Sequence, residues 1–469
     1  MKLQRILYDQ CNTSYLYDDI NEYLFLVSSK KATSPYGPLD LNPTSLDLEK
    51  EIWKNFIKEC KNNDLGAEYL EVEIWFDWLR EYCKKKDCLD VVCMSPSEPQ
   101  LLRTLTDMAL QLSNEWIKLE IRPNTQFLVS HEVFLEKREK PPVMETFYRW
   151  MRKETRILMD GDNPEWGKRN YDKENRKFDR KYVSDLPSRL EENAYPVSRT
   201  QALELLDYFI AHHLDEFGKL EDAMYAEDDE VHHSLLSTSM NFGLLTPWEV
   251  IARVEAADTA MNNKEWFIRQ VLGRREYMYH RFWFYKDSLY NQNALKHTNS
   301  LPDRFRRPEK SPLEMFCVNH VLWTVKETAY SHHITRLMII GNFCLLMGYN
   351  PHHVNKWFWE MYADAFERVV SPNVLGMSQF ADGGNLATKP YISSANYVNK
   401  MSNYCKKCVY DPKKKEGEDA CPLNYLYRNF VDKHRDLFKR QPYMVKNLER
   451  INVESMRKQS EEFIKNLAV

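Results

Sequence analysis

A chain of 469 residues is too long for one ordinary hydrophobic core, so about two to four domains are expected. With 43% hydrophobic and 29% charged residues, the composition is that of a folded globular protein and excludes a mainly disordered chain. The 65 basic and 69 acidic residues leave a net charge of −4, which excludes a whole-chain basic field and leaves only local basic patches.

The opening MKLQRILYDQCN has an early Asp and no long apolar stretch, so no signal peptide is read there. No apolar run reaches the ~18 residues of a membrane span. The ten cysteines are then expected inside a cell, where disulfides are rare. RILYDQ, EYLFLVSS, YLEVEIWF, CLDVVCMS, IKLEIRPN and QFLVS read as short strands. LDLEKEIWKNFIKECKNN and EPQLLRTLTDMALQLSNEW read as helices between them. This alternation predicts a doubly wound, Rossmann-like α/β domain over residues 1–140.

Residues 141–197 read as a linker punctuated by Pro141, Pro142, Pro164, Pro187 and Pro196, with one helix in METFYRWMRKETRIL. Basic residues gather at Arg149, Arg152, Lys153 and Arg156, again from Lys173 to Lys181, and at Arg304, Arg306 and Arg307. Each cluster reads first as a solvated face with nearby acids. Residues 198–469 read as an all-helical domain. Gly348 suits a helix C-cap there, with Pro351 shortly after.

Near the C-terminus stand Cys405-Lys-Lys-Cys408 and then Cys421-Pro422. Three thiols are too few for a closed tetrahedral site, so a fourth ligand must come from elsewhere. Cys344 sits in the apolar run IIGNFCLLMG and reads as core, whereas Cys317 opens a helix after SPLEMFC and is the better candidate. Spacing alone leaves zinc and an iron–sulfur cluster close to even.

Ser234, Ser237, Thr238 and Ser239 precede a helix, where hydroxyls and free N–H groups suit a phosphate or simple capping. KEWFIRQVLGRREYMYHRFWFY carries Gln270, Arg275 and Glu276. In YSHHITRLMIIGNF, His333 and Arg336 are three apart and share a helix face beside His332, which suits proton chemistry. The long polar loop SPNVLGMSQFADGGNLATKPYISSANYVNKM is of the kind that carries function.

LMDGDNPEWGKRNYDKENR, FGKLEDAM, HHSLLSTSMNFGLL, FIRQVLGRREYM, HHITRLMIIGNF, NVLGMSQFADGG, ATKPYISS and KMSNYCKKC…ACPLNYLY together resemble the iron–sulfur bacterial cryptochromes and photolyases, also called deoxyribodipyrimidine photolyase-related proteins. The resemblance runs from about Phe147 to Tyr443 and is weaker before that. It implies an N-terminal antenna domain, an interdomain loop, and a helical FAD domain with a [4Fe-4S] region. Cys317, Cys405, Cys408 and Cys421 match the cluster ligands. FAD is expected among Ser234, Ser237, Gln270, Arg275, Arg336, Asp364, Asn373 and Met377. His332 and His333 match the lesion-facing pair, and Tyr391 matches a tyrosine that handles the lesion. Asp9 and Gln10 resemble the start that holds a 6,7-dimethyl-8-ribityllumazine antenna. The implied activity is light-driven repair of (6-4) photoproducts in UV-damaged DNA, by a cytoplasmic, nucleoid-associated monomer with no membrane role. The alternatives are a blue-light photoreceptor or a cyclobutane-dimer photolyase.

The chain departs from that family at several positions. Tyr8 stands for the usual Gly, and the stretch near Lys30 lacks a His-His-Lys run. Arg274 replaces a common Trp, Phe358 and Phe366 stand for frequent tyrosines, and Val370 for a Glu. LPDRFRRPEKSPLEMFC is longer than usual and lacks the expected Trp before Cys317, whereas Trp357 is retained.

Overall fold

The protein was analysed as a computed structural model, which describes residues 1–28, 36, 39–72, 75–137, 143–168, 171, 175–179, 181–182, 186, 188–190, 195–439, 442–446, 448 and 452–467. The Lys30 stretch, Lys173 and Arg180, and parts of the 141–197 linker lie outside these residues.

Five strands form one parallel sheet: β1 (Lys2–Ile6), β2 (Glu22–Ser28), β3 (Ala67–Val72), β4 (Asp90–Met94) and β5 (Lys118–Arg122), in the order β3-β2-β1-β4-β5. Alternation along β2 explains how both faces are covered. Leu24 packs on one side with Leu79, Tyr82, Met108 and Leu112. Tyr23 and Phe25 pack on the other with Ile52, Trp53 and Phe56. The helix Pro43–Asn62 supplies that second side; Asn42 caps it by accepting from the Thr44 N–H, and Pro43 starts it where no N–H is needed. Asn42 also donates to the carbonyls of Val325 and Lys326, which ties the sheet region to the helices.

Two local readings are corrected. QFLVS forms no strand, because its peptide groups serve the helical region instead: Leu128 N–H donates to Glu276 at 3.0 Å, and Phe127 stacks on Tyr279 with centroids 3.6 Å apart. YLEVEIWF is strand only to Val72, and a helix, Trp75–Lys86, follows it.

The order reverses between β1 and β4, which is where a sheet of this type offers a crevice beyond its strand ends. The helical region fills that crevice. Tyr8 lies parallel to Phe366 at 5.8 Å, and Asp9 pairs with Arg368 at 3.1 Å, both groups being 2% exposed. Gly243, with φ +81°, allows the close approach, since a Cβ there would lie 2.7 Å from the Asp9 carbonyl.

Beyond the sheet the described residues are predominantly helical. Three long helices each contain a π-helical stretch: Arg269–Arg275 between Met261–Ile268 and Glu276–Tyr285, Thr335–Gly341 before Asn342–Leu346, and Pro372–Ser378 after Glu367–Ser371. Such widened turns break the regular side-chain rows of a helix and occur often at functional sites. Among the described residues no helix is long and apolar enough to cross a membrane.

Candidate active site and thiol centre

All three π-helical stretches contribute to the walls of one cavity of about 300 Å³. Gln270 and Arg274 come from the first, Arg336 and Leu337 from the second, and Asn373, Val374, Met377 and Ser378 from the third. Ser234, Ser237, His332, His333 and Asp364 join them, with Glu221, His233, Tyr330 and Ser331, in the polar lining, and Phe217, Phe267 and Phe358 are among the apolar walls. Of the eight residues expected around a flavin, seven therefore share this cavity. Arg275 does not line it. The extra residue of the π turn presents Arg274 there, while Arg275 lies 4.2 Å over the Phe127 ring and pairs with Glu276 at 3.0 Å.

Arg336 donates to Asp364 at 2.9 Å and to the Ser331 carbonyl at 2.7 Å, and lies 4.1 Å above the Tyr362 ring. Asn241 holds Asp364 in place by donating to its backbone carbonyl at 3.0 Å. Val231, His232 and Leu235 take left-handed backbone conformations around Ser234. Strain of this kind in non-glycine residues accompanies functional sites.

His332 and His333 begin the helix that bears Arg336, and both border the cavity. His233, which the sequence reading passed over, packs against His332 with ring centroids 4.5 Å apart and the planes tilted by 35°. Its Nδ1 donates to the Glu230 carbonyl at 2.9 Å, leaving Nε2 as a bare acceptor. Burial holds His233 down at about 4, and burial with the neighbouring imidazole and Arg336 holds His332 well below its ordinary value. His333 is held down by burial first and then by Arg274 and Arg336. Glu221, also missed, accepts from Trp266 Nε1, and burial beside Asp222 raises its carboxyl to about 7. The His232-His233 doublet directly before Ser234 was the signal available for the first of these. Tyr391 is 37% exposed and lies outside the cavity lining, yet it interacts electrostatically with Arg274.

Among the described residues, three of the lining carry buried polar atoms without partners, His233 at Nε2, His332 at Nδ1 and Arg274 at Nε. An apolar cavity with such groups is the usual form of a site for a large, flat, polar-edged ligand. Next to it, Trp357 packs edge-on against Phe358 at 5.0 Å and donates to the Phe305 carbonyl at 2.9 Å.

Cys317, Cys405, Cys408 and Cys421 line a second, smaller cavity with Met315, Tyr404, Tyr410 and Leu423. Cys317 sits in the first turn of the helix Phe316–Thr328, and Cys421 directly precedes the helix Pro422–Lys433. The intervening loop is folded back by Asp411 N–H to the Asp419 carbonyl and by Cys421 N–H to the Asp411 carbonyl. Burial raises Cys317 well above its ordinary value, and the other three thiols add to the shift. Burial likewise pushes Cys405 and Cys421 up to about 12. Thiols that oppose one another's ionisation suit a cationic centre that neutralises them together. Among the described residues no three His, Cys, Asp or Glu side chains are set to hold a single metal ion. Cys344 is buried in the core, away from this lining.

Asp9 and Gln10 are both buried. Asp9 pairs with Arg368, and Gln10 accepts from Leu7 N–H at 3.2 Å. Of the basic clusters, Arg149 pairs with Glu145, Arg156 with Asp162 and Arg307 with Asp303 on solvated faces, whereas Arg152 is buried and donates to the Leu158 carbonyl, and Arg306 pairs with the buried Glu360.

The family described as deoxyribodipyrimidine photo-lyase-related protein matches residues 53–225. A protein of Agrobacterium fabrum named (6-4) photolyase is 41% identical over 363 residues, 70% of this chain and 71% of that protein. The crystal structure of a bacterial class III photolyase from Agrobacterium tumefaciens superposes with a TM-score of 0.65 at 13% identity, covering 96% of this chain and 98% of the other. A cryptochrome from Synechocystis superposes with a TM-score of 0.61 at 11% identity, covering 86% of each chain. Those two likenesses speak to the fold, and the identity to the first relative, sustained over more than two thirds of its length, speaks to descent. The chain belongs to the photolyases, in the deoxyribodipyrimidine photo-lyase-related family.

Proposed function

We propose that this chain is a light-driven lyase that repairs (6-4) photoproducts in UV-damaged DNA, with FAD in the large cavity. The observation that carries this reading is the meeting of His332, His333, Arg336, Asp364, Asn373 and Met377 on one cavity, in a chain 41% identical to a protein named (6-4) photolyase. The unpartnered buried polar atoms fit a ligand rich in hydrogen-bonding edges. When bound, reduced flavin supplies the photoexcited electron. The chain's own groups do the rest. Ser234 and Ser237 would receive phosphate oxygens, Arg336, Asp364 and Asn373 would orient the ring system, and Met377 would pack against it. His333, with His332 beside it, would hold and return the proton that lets the heteroatom transfer. A lesion must be flipped out of the duplex to reach an enclosed site, and a distorted pair costs less to extrude. Tyr391, 37% exposed and outside the cavity lining, would meet it there.

We assign the four thiols to a [4Fe-4S] cluster, which spreads its thiolates over separate irons and fits a quartet arranged around a shared space. A ribityllumazine antenna at Asp9 and Gln10 would have to compete with Arg368 and with the Leu7 N–H for those side chains. A DNA-repair role would place the protein in the cytoplasm with the nucleoid, acting as a monomer.

The test is illumination of the reduced, flavin-loaded protein with an oligonucleotide carrying one (6-4) lesion. Restored pyrimidines support the reading. Repair of a cyclobutane dimer alone, or light-dependent partner binding with neither lesion repaired, overturns it.

A further inference from the structure

We propose that Arg274 is a positioning residue: it donates an N–H to Nε2 of His333, keeps that imidazole neutral in a single tautomer, and itself provides the fixed positive charge beside the lesion. The proposal rests on the repair reading for its purpose, but not for its geometry.

Arg274 Nη1 contacts His333 Nε2 and lies 3.4 Å from Nδ1. A guanidinium has donors only, so the imidazole nitrogen facing it must be a bare lone pair. Protonating that nitrogen would set two like charges in contact. The remaining groups facing His333 do not compensate. They are Arg336 and His332 from its own helix and His233 from the loop before Ser237–Asn241. The carboxylates that answer the cation are Glu221 and Asp222, which act on Arg274 together with Tyr391 and Arg176 and are not among the groups acting on His333. Arg274 also keeps a buried Nε without a partner, and its side chain borders the cavity. A pyrimidine oxygen that gains negative charge at this wall on electron transfer is stabilised by a cation already in place, while the proton that His333 carries on Nδ1 stays available for the transfer.

Two measurements on the full-length, flavin-loaded protein test this. In the first, ¹⁵N-histidine NMR in the dark follows His333, assigned by the resonance lost in H333N. Wild type and R274K should hold one neutral tautomer, with the proton on Nδ1, between about pH 6 and 8, and R274M should mix the two tautomers and take up a second proton at a higher pH than wild type. In the second, repair yield should be flat with pH in wild type, and in R274M should fall about tenfold overall and become acid-favoured. His333 showing the same tautomer and the same titration in wild type and R274M overturns the proposal. Flavin absorbance reports whether each variant folds, and R274Q, which is polar and of similar size but uncharged, takes the place of R274M if that variant does not. If no form repairs a (6-4) lesion, the repair reading fails while the NMR comparison still judges Arg274.

Discussion

Arg336 and Asp364 meet at 2.9 Å on the cavity wall, and this pair joins the helix that carries both histidines to the turn that leads into Glu367–Ser371. Each partner has further anchors, Ser331 for the guanidinium and Asn241 for the Asp364 backbone. The pair therefore holds the shape of the site as well as its charge.

Asp364→Ala strips Arg336 of its counter-charge. A charge-assisted hydrogen bond of this kind is worth about 1.5–3 kcal/mol, so flavin affinity should fall tenfold or more. Flavin absorbance per protein after gel filtration measures it. Full flavin retention would remove Asp364 from the cofactor site.

Gly341 lies where two π-helical stretches touch. A Cβ there would run into Ser378 Oγ and sit 2.9 Å from the Arg336 carbonyl. Gly341→Ala should push Thr335–Gly341 and Pro372–Ser378 apart, costing about 1–3 kcal/mol in stability as overpacking does, with weaker flavin binding. Thermal melts of flavin-free and flavin-loaded protein separate the two effects, and unchanged flavin affinity would contradict the second.

The thiol assignment makes a clean division among cysteines. Cys317→Ser, Cys405→Ser and Cys421→Ser should each abolish iron, whereas Cys344→Ser, in the core, should keep it at a stability cost of about 1–2 kcal/mol. Iron and acid-labile sulfide per protein are the readouts. Zinc in place of iron in protein made with both metals supplied would refute the cluster.

His280 gives a pH prediction independent of both sites. It is fully buried between Phe134, at 4.3 Å, and Phe147, with neither ring nitrogen partnered. Burial, and then His131, lowers its pKa to about 3. The unfolded chain takes up a proton near the ordinary value of 6.5 and the native state does not, so stability falls as pH drops from 6.5 toward about 3. By pH 5 the loss is about 2 kcal/mol from this group. His280→Phe should remove that loss, raising the melting temperature more at pH 5 than at pH 8. An equal change at both values would count against it.

The α/β start was legible because alternation along β2 and the helical spacing of Leu48, Ile52 and Phe56 are local patterns. The cavity residues were legible through motifs, since each block holds its own helix turn. Arg275 was misplaced for a physical reason. A sequence read at 3.6 residues per turn assigns faces by count, and a π turn shifts every later side chain around the axis. His233 and Glu221 were missed because their importance comes from neighbours far along the chain. Strand QFLVS was misread because its peptides find partners on Glu276, 148 residues away from Leu128.

The amino-acid order alone determined the alternation behind the layers, the spacing of Cys405, Cys408 and Cys421 and the adjacency of His332 and His333, because periodicity and spacing are properties of neighbouring residues, whereas Cys317 joins the other thiols only through folding. Which arginine faces the cavity, that Tyr8 and Arg368 occupy the sheet's crevice, and that His333 must present a lone pair were decided only when the chain closed on itself. Those outcomes depend on desolvation and on contacts between distant segments, and neither exists until the helices pack.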